Sequence, residues 1–135
     1  MKKTIFSTLV LLLLCIACYA QNATNRAYCD ITIRQICYDL SCTPVSSTVF
    51  TVPAGTRVRM LAPCRRPFYT VYEVCWTSPC MAATACVTID GSVPISPCGP
   101  GTYTGTIQSC DYCANFNGTV AVTFDPTTGD IDIVP

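Results

Sequence analysis

Cysteine is the residue type with the most chemistry to offer in this chain. The sequence holds twelve cysteines, two in an apolar N-terminal segment and ten after it. An even number of thiols in an exported chain indicates disulfide bonds, whereas in a cytosolic chain it would indicate metal binding or catalysis. The disulfide candidates are Cys29, Cys37, Cys42, Cys64, Cys75, Cys80, Cys86, Cys98, Cys110 and Cys113.

Catalytic side chains are scarce. The chain has no histidine, which excludes a nucleophile activated by an imidazole base. Its only lysines, Lys2 and Lys3, lie in a predicted export signal, so the processed chain also lacks an amine nucleophile. Paired carboxylates could still act as acid and base, but the only glutamate, Glu73, fits a solvent-facing strand position better than a buried acid. We therefore expect no enzymatic activity and no cofactor.

Two further groups of residues could act on metals or redox partners. Cys110 and Cys113 form a Cys-x-x-Cys, yet no helix follows them, so structural disulfides are favoured over redox exchange or zinc. Asp125, Asp130 and Asp132 gather near the last predicted hairpin and could hold calcium. Their spacing lacks the glycine and terminal glutamate of a calcium loop, and it fits a half-exposed edge strand instead. We predict no metal site.

The basic residues form one cluster, whose members are Arg57, Arg59, Arg65 and Arg66. Alternation along a strand puts Arg57 and Arg59 on one face. The cluster would suit an anionic partner, such as a polysaccharide or the acidic end of another subunit, although a solvated strand face is the simpler interpretation. The acidic last hairpin is its natural complement. If the two groups lie at different sites on the molecule, a head-to-tail contact could propagate into a filament.

Composition narrows the class of partner. The formal net charge is +0 and only 12% of residues are charged, so the chain lacks the strongly basic face that nucleic-acid binding needs. Little charge repulsion opposes association of like molecules. Copies of the same chain are therefore the first expected partner, and a glycan or another surface component is the second.

Aromatic residues allow two interpretations. They could form a platform on which sugars stack, or they could plug the ends of a sandwich core, and the second is favoured. The residues concerned are Tyr28, Tyr38, Tyr69, Tyr72, Tyr103, Tyr112 and Trp76.

Residues 1–20 have the layout of a cleavable export signal. Two lysines precede an apolar stretch at residues 4–17 that is short for a membrane span. Small residues at the −3 and −1 positions, Cys18 and Ala20, favour cleavage after Ala20, while a membrane anchor and lipidation at Cys18 are the alternatives. Cleavage would leave residues 21–135 as one domain, secreted or held at the cell surface, with no membrane span.

Period-two alternation recurs along the chain and predicts an all-β fold. Many short strands separated by turn signals suggest a two-sheet antiparallel sandwich of about seven to nine strands. Residues 21–27 are polar and unpatterned and predict a flexible arm. The candidate strands are Cys29–Cys37, Thr48–Val52, Arg57–Leu61, Phe68–Trp76, Ala85–Ile89, Ser92–Ile95, Thr102–Ser109, Thr119–Phe124 and Asp130–Val134.

The middle of the chain repeats itself at an offset of about 34 to 38 residues. The clearest match sets Cys37 and Cys42 against Cys75 and Cys80. One repeat would be a β-hairpin followed by a long strand. Two such units could pack face to face, each covering the apolar side of the other.

The repeat also suggests a disulfide pairing, because each predicted hairpin turn brings distant cysteines together. The turn at residues 53–56 would bring Cys64 near Cys42. The turn at residues 90–91 would bring Cys98 near Cys80 or Cys86. We therefore favour Cys42–Cys64 and Cys80–Cys98 as equivalent bridges, and the rest of the connectivity stays open.

The tryptophan at position 76 follows Cys75, and this pair resembles the tryptophan packed on a disulfide in immunoglobulin-like domains. The resemblance covers residues 27–134 in pattern only and implies an immunoglobulin-like sandwich, although the tyrosine-corner spacing is missing. In general layout the chain is also similar to small uncharacterised Cys-rich secreted proteins of Gram-negative bacteria. No motif there implies a function.

The function that these features indicate is structural. We expect a secreted, non-enzymatic, cell-surface or extracellular subunit that associates with copies of itself, in a filament if the contact is head-to-tail. A carbohydrate- or surface-binding, adhesin-like module is the alternative. A small secreted inhibitor or toxin is the third interpretation, favoured only by the disulfide density.

Overall fold

The computed structural model describes residues 21–60, 62–77, 84–108, 113 and 118–135. These residues are all-β and contain no helix, so none of them forms a helix able to span a membrane. The strands are β1 (Asn22–Asn25), β2 (Ile31–Tyr38), β3 (Pro44–Val52), β4 (Arg57–Arg59), β5 (Tyr69–Thr77), β6 (Thr84–Asp90), β7 (Thr104–Gln108), β8 (Thr119–Phe124) and β9 (Ile131–Val134).

The strands form two sheets, which confirms the predicted two-layer β architecture. One sheet has five strands in the order β4-β1-β9-β8-β7, and the other has four in the order β3-β2-β5-β6. All neighbouring strands are antiparallel except β1 and β9, which run parallel. The predicted wholly antiparallel sandwich is therefore wrong at this one pair.

The core lies between the sheets and follows from alternation along the strands. In β2 Ile31 and Ile33 are fully buried, and in β9 Ile131 and Ile133 are too. The largest buried side chains are Tyr72 and Trp76, both on β5. Each fully buried apolar side chain contributes about 1.5–3 kcal/mol relative to leaving it in water, so this layer is the main source of stability within the described residues.

The predicted flexible arm at residues 21–27 is wrong, because β1 lies inside the five-stranded sheet between β4 and β9. Its small residues reach the core, and Ala23 and Asn25 are fully buried. The Asn25 amide donates to the carbonyls of Cys29 and Val52, and its oxygen accepts the Ala27 N–H. The polar segment thus forms an interior strand, because its backbone pairs with strands on both sides. It lacks the large apolar residues by which a strand is recognised in sequence.

The predicted strand Ser92–Ile95 is also wrong, because residues 91–101 form a loop. The loop curls around Asp90, whose fully buried carboxylate accepts the N–H groups of Ser92 and Ser96, each at 3.0 Å. A Cβ added at Gly99 would lie 2.4 Å from that carboxylate, so the loop backbone covers it directly. These bonds hold the backbone in a turn rather than an extended strand.

The repeat does not produce two face-to-face units, and the hairpin predicted at residues 53–56 is absent. Strand β3 belongs to the four-stranded sheet and β4 to the five-stranded one, so the chain crosses between sheets at that turn. Within the region of the repeat, the hairpins that form are β2–β3 and β5–β6. They lie side by side in one sheet, with β2 and β5 as central neighbours.

Four disulfides join the described cysteines, and they correct the favoured pairing. Cys42–Cys64 is wrong, because Cys64 pairs with Cys37 and Cys42 pairs with Cys98. Cys80–Cys98 is wrong for the same reason, and Cys80 and Cys110 lie outside the described residues. The error follows from the false hairpin turns. The other two bridges are Cys29–Cys113 and Cys75–Cys86.

The immunoglobulin-like pattern predicts that the Cys75 disulfide lies between the sheets beside Trp76, and it does not. Trp76 points into the core, whereas Cys75, one residue earlier, lies on the opposite face of β5. Cys75 forms a disulfide with Cys86, which lies directly opposite it on β6, and their Cα atoms are 4.1 Å apart. This bridge therefore links neighbouring strands of one sheet and not the two layers.

Candidate interaction surfaces

The basic and acidic groups meet within one molecule, contrary to the expectation that they lie at different sites. Arg57 on β4 contacts Asp130 at the start of β9, with 3.1 Å between Nη2 and Oδ2. Arg26 contacts Asp132 at 3.2 Å. Both pairs are well exposed, so each contributes about 0–1 kcal/mol. Because β1 brings β4 and β9 together, these charges are used internally rather than offered to another subunit.

The other three arginines of the basic cluster are exposed, and none of them makes an ion pair with a described residue. Arg59 lies on β4 opposite Asn22 of β1. Arg65 and Arg66 lie in the segment between β4 and β5, and Arg66 lines a groove described below. The four arginines therefore divide between a strand edge and a loop.

Asp125 begins the turn between β8 and β9. It accepts hydrogen bonds from the N–H and hydroxyl of Thr127. The hydroxyl contact is the main reason that the pKa of Asp125 lies below its usual value. Its carboxylate thus caps the turn and holds the hairpin that presents Asp130.

The tyrosines do not share one surface. Tyr72 is fully buried beside Phe124, and its hydroxyl donates to Gln21 Oε1 at 2.6 Å, while burial raises its pKa. Tyr103 also packs against Phe124, with their ring centroids 5.6 Å apart. Tyr28 is 67% exposed, and Tyr112 lies outside the described residues.

An open groove of about 800 Å³ lies between the segment before β5, the loop after β6 and the β8–β9 turn. Its walls include Phe68, which is 39% exposed, with Tyr69 and Arg66 beside it. Apolar walls with a few polar groups are typical of ligand sites. Sequence reasoning missed this groove, because it joins segments far apart in the chain.

The edge formed by β3 is the most exposed strand surface of the described residues. From Pro44 to Val49 every residue is exposed on both faces of the strand. No residue from Pro44 to Val52 carries a charge, and Val45 and Val49 are about half exposed at 49% and 55%. Long, uncharged edge strands invite pairing with another chain. The sequence prediction began this strand at Thr48 and so missed its most exposed half.

Other edges of the two sheets carry more protection than β3, which has a proline and a register shift at its start but no charge. Strand β4 is only three residues long and bears Arg57 and Arg59, and short charged edges resist pairing. At the opposite side of the sandwich β7 packs against β6, where a Cβ at Gly105 would lie 2.2 Å from the Val87 side chain. Among the described strands, β3 therefore offers the edge most open to pairing with another chain.

On the outer face of the four-stranded sheet, Glu73, Cys75 and Cys86 lie together. The Glu73 carboxylate pairs with Arg34 on β2 at 3.2 Å. One carboxylate oxygen and the two sulfur atoms lie within 4.8 Å of one another. Glu73 is half-buried in this strand, close to the solvent-facing position that the sequence favours.

Comparison with protein-family models, curated proteins and solved structures found no match to this chain. Its function is therefore argued from these surfaces.

Proposed function

We propose that the protein is a secreted, non-enzymatic structural subunit that associates with copies of itself through the β3 edge. The observation that carries the proposal is the uncharged strand β3, which is exposed from Pro44 to Val49. The four disulfides are compatible with an extracellular protein, and they suit a subunit that must persist outside a cell.

Pairing of β3 with β3 of a second copy is the simplest contact. Two antiparallel copies would join their four-stranded sheets into one and satisfy the unpaired backbone groups of both edges. This contact is isologous and closes as a dimer. Pairing of β3 with the opposite side of the next copy, where β6 and β7 lie, is heterologous and propagates into a filament.

Lysines on β3 are expected to weaken self-association at least tenfold, equivalent to about 1.4 kcal/mol. The variant Ser47→Lys/Val49→Lys places two charges on one exposed face of the edge, where they repel the same residues of the partner. Sedimentation velocity across a concentration series measures the change. It also separates a closed dimer from larger, growing species.

The matched control is Thr123→Lys, because Thr123 is exposed on β8, an interior strand with neighbours on both sides. It adds charge without touching an edge and should leave association unchanged. A parent chain that stays monomeric at every concentration, or an assembly unaffected by the two β3 lysines, would refute the proposal.

A glycan-binding, adhesin-like module is the second candidate, and the groove beside Phe68 favours it. Aromatic side chains stack on sugar faces, and Arg66 could bind an acidic or hydroxyl-rich ligand there. A monomeric parent retained on a glycan column, with retention lost in Phe68→Ala, would support this function over the first.

A further inference from the structure

We propose that the Cys75–Cys86 disulfide can be reduced in the folded protein, and that its two thiolates and Glu73 then bind a thiophilic divalent cation. The proposal is independent of self-association. It rests on the three side chains that share the outer face of the four-stranded sheet, with their ligand atoms within 4.8 Å.

The fold does not depend on this bridge to keep its strands together. Strands β5 and β6 are aligned over seven residue pairs, and Cys75–Cys86 is only one of them. It also has the smallest sequence separation of the four bridges, 11 residues against 27, 56 and 84. Reduction of this bridge therefore restores the least conformational entropy to the chain.

Access to a reductant also distinguishes this bridge. Cys86 is exposed, whereas Cys113 of the longest bridge is fully buried. Cys42 is exposed as well, but its bridge fastens the loop at Cys98 to the β2–β3 turn. Reduction there would release a loop, while reduction at Cys75–Cys86 leaves a hydrogen-bonded hairpin.

The redox step needs a dithiol as the reductant. One dithiol thiolate attacks the Cys86 sulfur, the S–S bond breaks, and Cys75 leaves as a thiolate. The second thiol of the reductant then attacks the mixed disulfide, releases Cys86 and closes the oxidised reductant. Two electrons and two protons pass to the protein, and the bound cation later displaces the two protons from the thiols.

The reduced cluster offers the donor set that zinc and cadmium prefer. Thiolates are soft ligands, a carboxylate oxygen is a common third ligand, and solvent can supply the fourth. Arg34 contacts Glu73 through Oε2, at 3.2 Å. Its positive charge also offsets the excess negative charge of two thiolates and a carboxylate around a divalent ion.

Cadmium titration of partially reduced protein tests the proposal. A limited amount of dithiothreitol is added, the reductant is removed, and alkylation with peptide mass spectrometry identifies the thiols. Cys75 and Cys86 should be the first described cysteines to be labelled. Added Cd²⁺ should then give the ultraviolet charge-transfer band of two thiolates on one ion, while circular dichroism reports a retained fold.

Two variants isolate the ligands. Glu73→Gln keeps the disulfide and should weaken cadmium binding at least about tenfold, as loss of a supporting metal-site group typically does. Cys75→Ser/Cys86→Ser should abolish the band. Labelling of the other described cysteines first, loss of the fold on reduction of this bridge alone, or binding unchanged in both variants would overturn the proposal.

Discussion

Replacement of Cys29 and Cys113 by alanine is expected to lower the free energy of unfolding by about 3.6 kcal/mol. The Cys42–Cys98 bridge stays in place in this variant, so the shortest loop that Cys29–Cys113 closes has about 28 residues, and the loss of chain entropy in the unfolded state grows with loop length. Cys113 is also fully buried in the core, so its truncation removes packing as well. Urea unfolding with linear extrapolation measures the change.

The matched comparison is Cys75→Ala/Cys86→Ala. That bridge spans 11 residues, and the same chain-entropy relation predicts a loss of about 2.8 kcal/mol. Equal losses from the two double variants would show that loop length does not determine what these disulfides contribute.

Asp90→Ala is expected to destabilise the protein by about 2–6 kcal/mol. The substitution leaves the N–H groups of Ser92 and Ser96 without their acceptor, and each unsatisfied buried group costs about 1–3 kcal/mol. Both bonds are 3.0 Å long, and the Ser96 bond is fully buried. The loop over the end of the four-stranded sheet should loosen, and urea unfolding measures the loss.

The same substitution should change the pH dependence of stability. Burial raises the pKa of Asp90 above its ordinary value of 3.8, against the opposing effect of the Ser92, Ser96 and Gly91 N–H groups. The folded state therefore binds a proton more tightly than the unfolded state. The stability that the protonated carboxyl contributes is present below pH 3.8 and falls as the pH rises through the raised pKa. The difference between parent and Asp90→Ala should shrink over that window.

Asn25→Ala is the control for this experiment, because Asn25 makes three hydrogen bonds from a fully buried position but carries no charge. It should destabilise the protein at every pH by the same amount. A difference between parent and Asp90→Ala that is also flat with pH, or that grows as the pH rises, would contradict the account of Asp90.

Much of the fold could be predicted from sequence, because the alternation of apolar and polar residues indicates which face of a strand is buried. Strands β2, β5, β8 and β9 carry large apolar residues at every second position, and their existence was predicted. Strand β1 could not be found this way, because its inward residues are Ala23 and Asn25, and its pairing partners are far away in sequence.

The connectivity could not be predicted because a turn signal does not say whether the chain returns to the same sheet. Gly55, at a positive φ of 67°, does mark a turn, but the strand that follows joins the other layer. Cys64 is thereby carried towards Cys37 instead of Cys42. Both the wrong hairpin and the wrong disulfide pairing therefore have one cause, the crossing of the chain from one sheet to the other between β3 and β4.

The candidate surfaces, too, could be predicted only in part from the sequence. Sequence spacing identified Arg57 and Asp130 as complementary, yet only the parallel pairing of β1 with β9 reveals that they meet in one molecule. The uncharged run from Pro44 to Val52 was visible in the sequence. Its meaning as an edge depends on the strand order, since β2 covers one side of it and no described strand covers the other.

Hydrogen–deuterium exchange of residues 21–135 at low and high protein concentration tests self-association through β3 most directly. The account predicts that backbone amides of Pro44–Val52 become more protected as the concentration rises, while those of the interior strand β8 do not change. Exchange of the β3 amides at the same rate at every concentration would contradict it.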